Sequence, residues 1–249
     1  MAVYPEPRLL PCGDRAVSVE LADEIGREVS ARVLALDYLI QRAALPGITE
    51  TVPSFRALLV YYDPAVIAYE ELGAALRPLA SRARPDVLPP ARTVELPCRY
   101  GGAPGFELDQ AAARLALAPD EVVRLHAGAE YYVDFVGFTP GLPYLSGMPE
   151  RLFIPRLKTP RVKTPPGSVS IGGMQCCIYS VESPGGFWVL GRTPVRLYDP
   201  TAADPILLRA GDRLRFRVID GAEFDEIAAA VAAGTYRPRI EPSASRADR

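Results

Sequence analysis

Histidine and lysine are nearly absent from this 249-residue chain: His126 is the single imidazole, and Lys158 and Lys163 are the only lysines among 28 basic residues. Zinc sites that need two or more imidazoles are excluded, and a Ser/His/Asp triad has one candidate base. The net charge of −2 supplies no field for polyanions and no block of like charge occurs, which excludes nucleic acid as the expected partner. No run of about 18 apolar residues is present, and residues 1–15 lack a basic stretch followed by an apolar one, so neither a membrane span nor a signal peptide is expected and the location is cytoplasmic. No GxxxxGK[ST] occurs, nor a GxGxxG between a strand and a helix, so no self-contained ATP site is visible. Cys12, Cys98, Cys176 and Cys177 match no CxxC spacing and read as reduced, mostly buried thiols; no metal site is expected.

What the chain does contain is arginine, proline and hydrophobic pattern. Residues 9–21 read as a strand around a Gly13-Asp14 turn, and Asp23 reads as the cap of a helix whose stripe is Ile25, Val29, Val33, Leu36 and Ile40. Residues 48–62 make two strand-like pieces around Pro53-Ser54. Asp63-Pro64 then opens a second helix that places Ile67, Leu72, Leu76 and Leu79 on one side. Residues 82–92 hold three prolines and read as a linker, and residues 93–100 resume as a strand that either completes a ferredoxin-like unit or opens the next domain.

Two short helices over 107–117 and 119–129 follow, the second starting at Pro119 and carrying His126 on the face of Val122. Short β segments are expected over 131–138, 168–172, 175–181, 187–190, 195–198 and 212–219. In the last, Leu214, Phe216 and Val218 alternate with Arg213, Arg215 and Arg217, the period of a sheet with one buried and one wet face. A helix over 223–233 ends at Gly234, and the polar residues 238–249 read as a frayed tail.

Ten of the 63 positions 138–200 are proline, interleaved with Gly172-Gly173 and Gly185-Gly186. Stiff turns on a β scaffold suit a binding site, because little ordering entropy is lost on engaging a ligand. Arg156, Arg161 and Arg192 lie in this stretch and offer rigid donor forks for carboxylate or phosphoryl oxygens.

The chain resembles the KipI/PxpB family, the B-type subunits of bacterial 5-oxoprolinase, also known as allophanate hydrolase subunit 1. The residues that carry the resemblance are GDRAV at Gly13, PGITETVPSFRALLVYYDP from Pro46, RYGG at Arg99, EVVRLHAGAEYYV around His126, GFTPGLPYL from Gly137, GSVSIGGMQ from Gly167 and SPGGFWVLGRTP from Ser183. Phe106 and Glu107 stand where that family usually has Pro-Asp.

The resemblance implies an α+β N-terminal domain and a mainly-β cyclophilin-like barrel; with the element order and composition read above, this gives a ferredoxin-like β-α-β-β-α-β domain over residues 1–90, the barrel over 91–238 and a flexible tail over 239–249. It implies ATP-dependent opening of 5-oxo-L-proline to L-glutamate, active only with a KipA/PxpC-type subunit and an A-type (LamB/YcsF-like) subunit, with ATP shared with or bound by those partners. On that footing His126 and Arg192 are the expected catalytic residues, and Arg156, Arg161, Gln175 and Thr193 the expected substrate-binding ones. Two other readings follow from relatives: a regulator that inhibits a sensor histidine kinase, and subunit 1 of an allophanate hydrolase or urea carboxylase-like module served by a biotin-bearing partner.

Overall fold

A computed structural model describes residues 3–242, and the chain divides into two compact units, Met1–Pro89 and Pro90–Arg249. Among the described residues no helix is long and apolar enough to cross a membrane.

The first unit runs β1 (Val3–Pro11), β2 (Ala16–Ala22), α1 (Arg27–Ala43), β3 (Ile48–Pro53), β4 (Ala57–Tyr62) and α2 (Tyr69–Arg82). Its antiparallel sheet has the order β1-β2-β4-β3. Val29, Val33, Leu36 and Ile40 of α1 and Leu72, Leu76 and Leu79 of α2 share one core with Val17, Val19, Leu58 and Val60 of the strands. The helical periodicity therefore finds its partner in the strand alternation. Three local readings are corrected. Ile25 is exposed and α1 is capped by Gly26, not Asp23, while Asp63 accepts the Ala65 N–H in a turn and α2 begins only at Tyr69.

The β-α-β-β-α-β order is corrected to β-β-α-β-β-α. Beside β2, the edge that a strand after α2 would fill is taken by β1, joined through a tight turn at Gly13 with φ +69°. Closing that local hairpin costs less chain entropy than returning a strand across the proline-rich residues 82–92.

The second unit runs β5 (Arg92–Tyr100), α3 (Leu108–Leu115), α4 (Pro119–Ala127), β6 (Glu130–Val136), β7 (Pro143–Ser146), β8 (Arg161–Thr164), β9 (Ser168–Gly172), β10 (Gln175–Ile178), β11 (Ser183–Gly185), β12 (Trp188–Arg192), β13 (Arg213–Val218), α5 (Gly221–Ala232) and β14 (Arg239–Pro242). Seven of these strands form a ring in the order β12-β9-β10-β7-β6-β13-β5, closed where Gly191 and Arg192 pair with Tyr100 and Arg99. The result is a mixed barrel whose β13–β5 pair is parallel. Closure leaves no free edge in the ring.

Inward-facing Val94, Leu96, Val133, Val169, Ile171, Leu190, Leu214 and Phe216 form the barrel core, which Ala111, Ala112 and Val122 of α3 and α4 extend. The Arg213, Arg215 and Arg217 face is ion-paired to Glu130, Glu95 and Glu223, whereas Val218 is 53% exposed. Residues 195–198 make only an isolated bridge, Tyr198 to Ile206. The tail reading is corrected for residues 239–242, which pair with β5 from Arg239–Glu95 to Pro242–Arg92; residues 243–249 lie outside the described residues.

Candidate functional site

Strands β9 and β10 sort their side chains to two sides. Val169, Ile171, Cys176 and Ile178 enter the barrel core, so the intervening Ser168, Ser170, Gly172, Gln175 and Cys177 face outward. On that outer side Leu142, Cys177, Tyr179 and Phe187 form a second apolar cluster with Tyr144 against it. The β8–β11 ribbon is also anchored here, through Arg161 Nη2 donating to the Phe187 carbonyl at 2.5 Å.

Two glycines set the spacing. A Cβ at Gly172 would stand 2.8 Å from the Phe187 ring and 3.1 Å from Arg156 Cγ, and one at Gly185 would fall on the Tyr179 phenol. Close approach of these rings to backbone requires glycine at both positions.

The result is a cleft of about 50 Å³ whose lining includes Phe138, Tyr144, Arg156, Cys177, Tyr179 and Phe187. Phe138, at φ +68° and 64% exposed, holds a bulky ring in the left-handed region at the mouth. Backbone strain of this kind concentrates at binding sites. The Arg156 guanidinium lies 4.9 Å from the Phe187 ring centroid, and Tyr144 stacks on Phe135 at 4.5 Å. Burial pushes the Tyr179 phenol up to about 12, outweighing the Arg161 and Arg156 guanidiniums that act the other way, and burial likewise raises the Cys177 thiol. Both groups are therefore neutral at pH 7, and Arg156 carries the cleft's charge.

The expected site residues do not all meet here. Arg156 lines the cleft, and Gln175 lies beside it, opposite Gly172 and on the face of Cys177. Arg161, also expected to bind substrate, is ion-paired: its Nη1 donates to both oxygens of Glu107 at 2.6 and 2.8 Å. Arg192 pairs with Ser168 in register and donates from Nε to the Pro166 carbonyl at 2.8 Å. Thr193 is buried, and its hydroxyl accepts the Val195 N–H.

His126 lies inside the barrel wall, not at the outer cleft. It is 0% exposed among Tyr100, Tyr131 and Phe216, with Nδ1 2.8 Å from the Tyr100 hydroxyl and Nε2 3.4 Å from Cys176 Sγ. Burial pushes the imidazole down to about 3, so it is neutral, with one donor and one acceptor matched to those two partners.

Tyr144, Cys177, Tyr179 and Phe187 escaped the sequence reading although GFTPGLPYL and SPGGFWVLGRTP contain or adjoin several of them. For Phe187 and Tyr179 the signal is the glycine against each ring, Gly172 and Gly185, which asks what approaches the backbone so closely. Among the described residues no cluster of three or more His, Cys, Asp or Glu could hold a metal ion.

The family described as carboxyltransferase domain, subdomain C and D, matches residues 7–208. The B-type subunit of 5-oxoprolinase from Bacillus subtilis (strain 168) is 36% identical over 214 residues, covering 82% of this chain and 89% of that protein. The crystal structure of TTHA0988 has a TM-score of 0.75 and 36% identity, covering 83% of this chain and 41% of the other, so the chain spans well under half of that solved one. The K. lactis urea amidolyase shares the fold, with a TM-score of 0.81 and 22% identity over 98% of this chain and 17% of that one.

Proposed function

Because this chain belongs to the family of the carboxyltransferase domain, subdomain C and D, we propose that it is the B-type subunit of an ATP-dependent 5-oxoprolinase. In this reading it helps to open 5-oxo-L-proline to L-glutamate in the cytoplasm, and only when joined by the KipA/PxpC-type and A-type (LamB/YcsF-like) subunits.

The observation that carries the reading beyond kinship is Arg156, a guanidinium at the cleft with no carboxylate partner among the described residues, stacked on Phe187. A planar fork held against a ring is suited to a small carboxylate, and 5-oxo-L-proline offers one. The chain has no phosphate loop, so in this reading ATP is shared with or bound by the partner chains and no phosphoryl-transfer step is assigned to these residues. Arg156 binds and orients the acid, Tyr144 and Tyr179 supply neutral hydroxyls, and the partners complete the walls around the lactam. The surface that would receive them includes the exposed Phe138, Phe153, Val162 and Met174.

The test is reconstitution with A- and C-type subunits, following ATP-dependent glutamate release from 5-oxo-L-proline, with allophanate and urea as competing substrates. Turnover that needs this chain and falls about a hundredfold in Arg156→Ala supports the reading. Turnover with allophanate alone, or a rate indifferent to Arg156→Ala, overturns it.

A further inference from the structure

A ring beneath a guanidinium does not by itself fix an arginine, because the rigid peptide planes on either side of its Cα set where the side chain starts. At Arg156 both planes are held. The Pro155 carbonyl, in the plane before it, accepts the indole N–H of Trp188 at 2.8 Å. The Leu157 N–H, in the plane after it, donates to the Gly186 carbonyl at 2.8 Å. Just upstream, Ile154 and Gly173 exchange both backbone hydrogen bonds, at 3.2 and 2.6 Å. Residues 155–157 belong to no helix or strand, so these bonds, and not a ladder, direct the chain through Arg156.

The residues that receive this segment are themselves anchored. Arg161 Nη2 holds the Phe187 carbonyl, and the Val189 N–H donates to Glu107 at 2.7 Å. Trp188 stands in β12 opposite Ile171 and packs against the barrel core. The Arg156 stem runs past Gly172, where a Cβ would come within 3.1 Å of its Cγ, and its guanidinium ends 4.9 Å from the Phe187 ring centroid. Backbone and guanidinium alike are thus tied to three consecutive residues, Gly186, Phe187 and Trp188.

We propose that Trp188 is a positioning residue: its indole N–H sets the Pro155–Arg156 peptide, so that the guanidinium is ordered over Phe187 before an acid arrives. An ordered fork loses less rotamer freedom on binding a carboxylate than a free one does. The pairing is chemically matched, since an indole N–H only donates and a carbonyl only accepts. The inference rests on Arg156 being the acid receptor of the reading above, and it adds the residue that holds that receptor in place.

The test begins with the full chain alone. NMR relaxation of the Arg156 Nε–H is expected to show a side chain as ordered as the backbone around it, and a mobile guanidinium in the parent chain overturns the proposal without any variant. Calorimetry with acetate and 5-oxo-L-proline then compares the parent, Trp188→Phe, Arg156→Ala and the double variant. Trp188→Phe keeps a ring and loses the N–H; it is expected to weaken acid binding about fivefold, and to add nothing once Arg156 is alanine. In the complex with A- and C-type subunits, the same change is expected to raise KM for 5-oxo-L-proline with kcat little altered. A merely structural role would cost the same with or without Arg156, and that result, an unchanged affinity in Trp188→Phe, or no binding of either acid overturns the proposal. Acid binding coupled between Trp188 and Arg156, in a chain that never supports glutamate formation, leaves the positioning role standing and rejects the oxoprolinase reading. Glutamate formation that needs Arg156 and ignores Trp188→Phe does the reverse.

Discussion

Glu107 Oε2 accepts the Val189 N–H at 2.7 Å while both its oxygens receive Arg161 Nη1, so one carboxylate ties the loop before α3, strand β12 and the β8–β11 ribbon together. The two side chains, Arg161 and Glu107, are 18% and 11% exposed, and removing one partner strands the other in a poorly solvated place.

Glu107→Gln or Arg161→Ala is therefore expected to lower unfolding free energy by about 3 kcal/mol, measured by denaturant titration. The double replacement Glu107→Leu with Arg161→Met is expected to recover most of that loss. A single variant as stable as the parent would show that the pair holds nothing together.

Stability is expected to fall in acid through His126. Its folded pKa of about 3 lies below the ordinary value of 6.5, so between these limits the unfolded chain binds a proton that the folded chain refuses. This contribution is fully present above pH 6.5 and is lost as pH falls toward 3, at up to about 1.4 kcal/mol per pH unit. Denaturant midpoints at pH 7, 6, 5 and 4 should show the slope, and His126→Gln should remove it. An imidazole that titrates near pH 6 by NMR in the folded chain would contradict this account.

Phe138→Gly is expected to raise stability by about 0.5–1 kcal/mol, since relief of the left-handed conformation outweighs glycine's greater entropy loss and the ring is mostly exposed. The same change should weaken assembly with the partner subunits, as read by co-sedimentation. Loss of stability would mean that the ring's packing is worth more than its strain costs.

Thiol reactivity separates the four cysteines. Cys12 is exposed, whereas Cys98, Cys176 and Cys177 are buried and burial pushes their thiols up, away from the reactive thiolate. Ellman's reagent should modify one thiol in the native chain and four after denaturation; rapid modification of a second would show that the cleft floor at Cys177 opens.

Much of the fold was legible from pattern. The α1 stripe from Val29 to Ile40 and the Leu214–Phe216 alternation are buried as read, because period and burial are local properties of chain geometry. The shorter elements β7, β8, β11 and β14 were not legible, since three or four residues hold too few alternations to stand out and owe their pairing to partners distant in sequence. Among the site residues Arg156 was legible as a cation in a stiff loop, whereas Arg161 carries the same signal and differs only in having Glu107, 54 positions away, beside it.

The sequence by itself determined the family, the α+β and barrel composition, and the scarcity of lysine and histidine. Tertiary structure alone decided which side of the barrel wall each residue occupies. His126 and Arg156 are both expected site residues from the sequence, yet one is sealed in the core and the other stands at the outer cleft. The physical reason is that a polar side chain's role depends on its solvation and its partners. Barrel closure fixes both by joining β12 to β5 across some 90 residues, a contact no local pattern encodes.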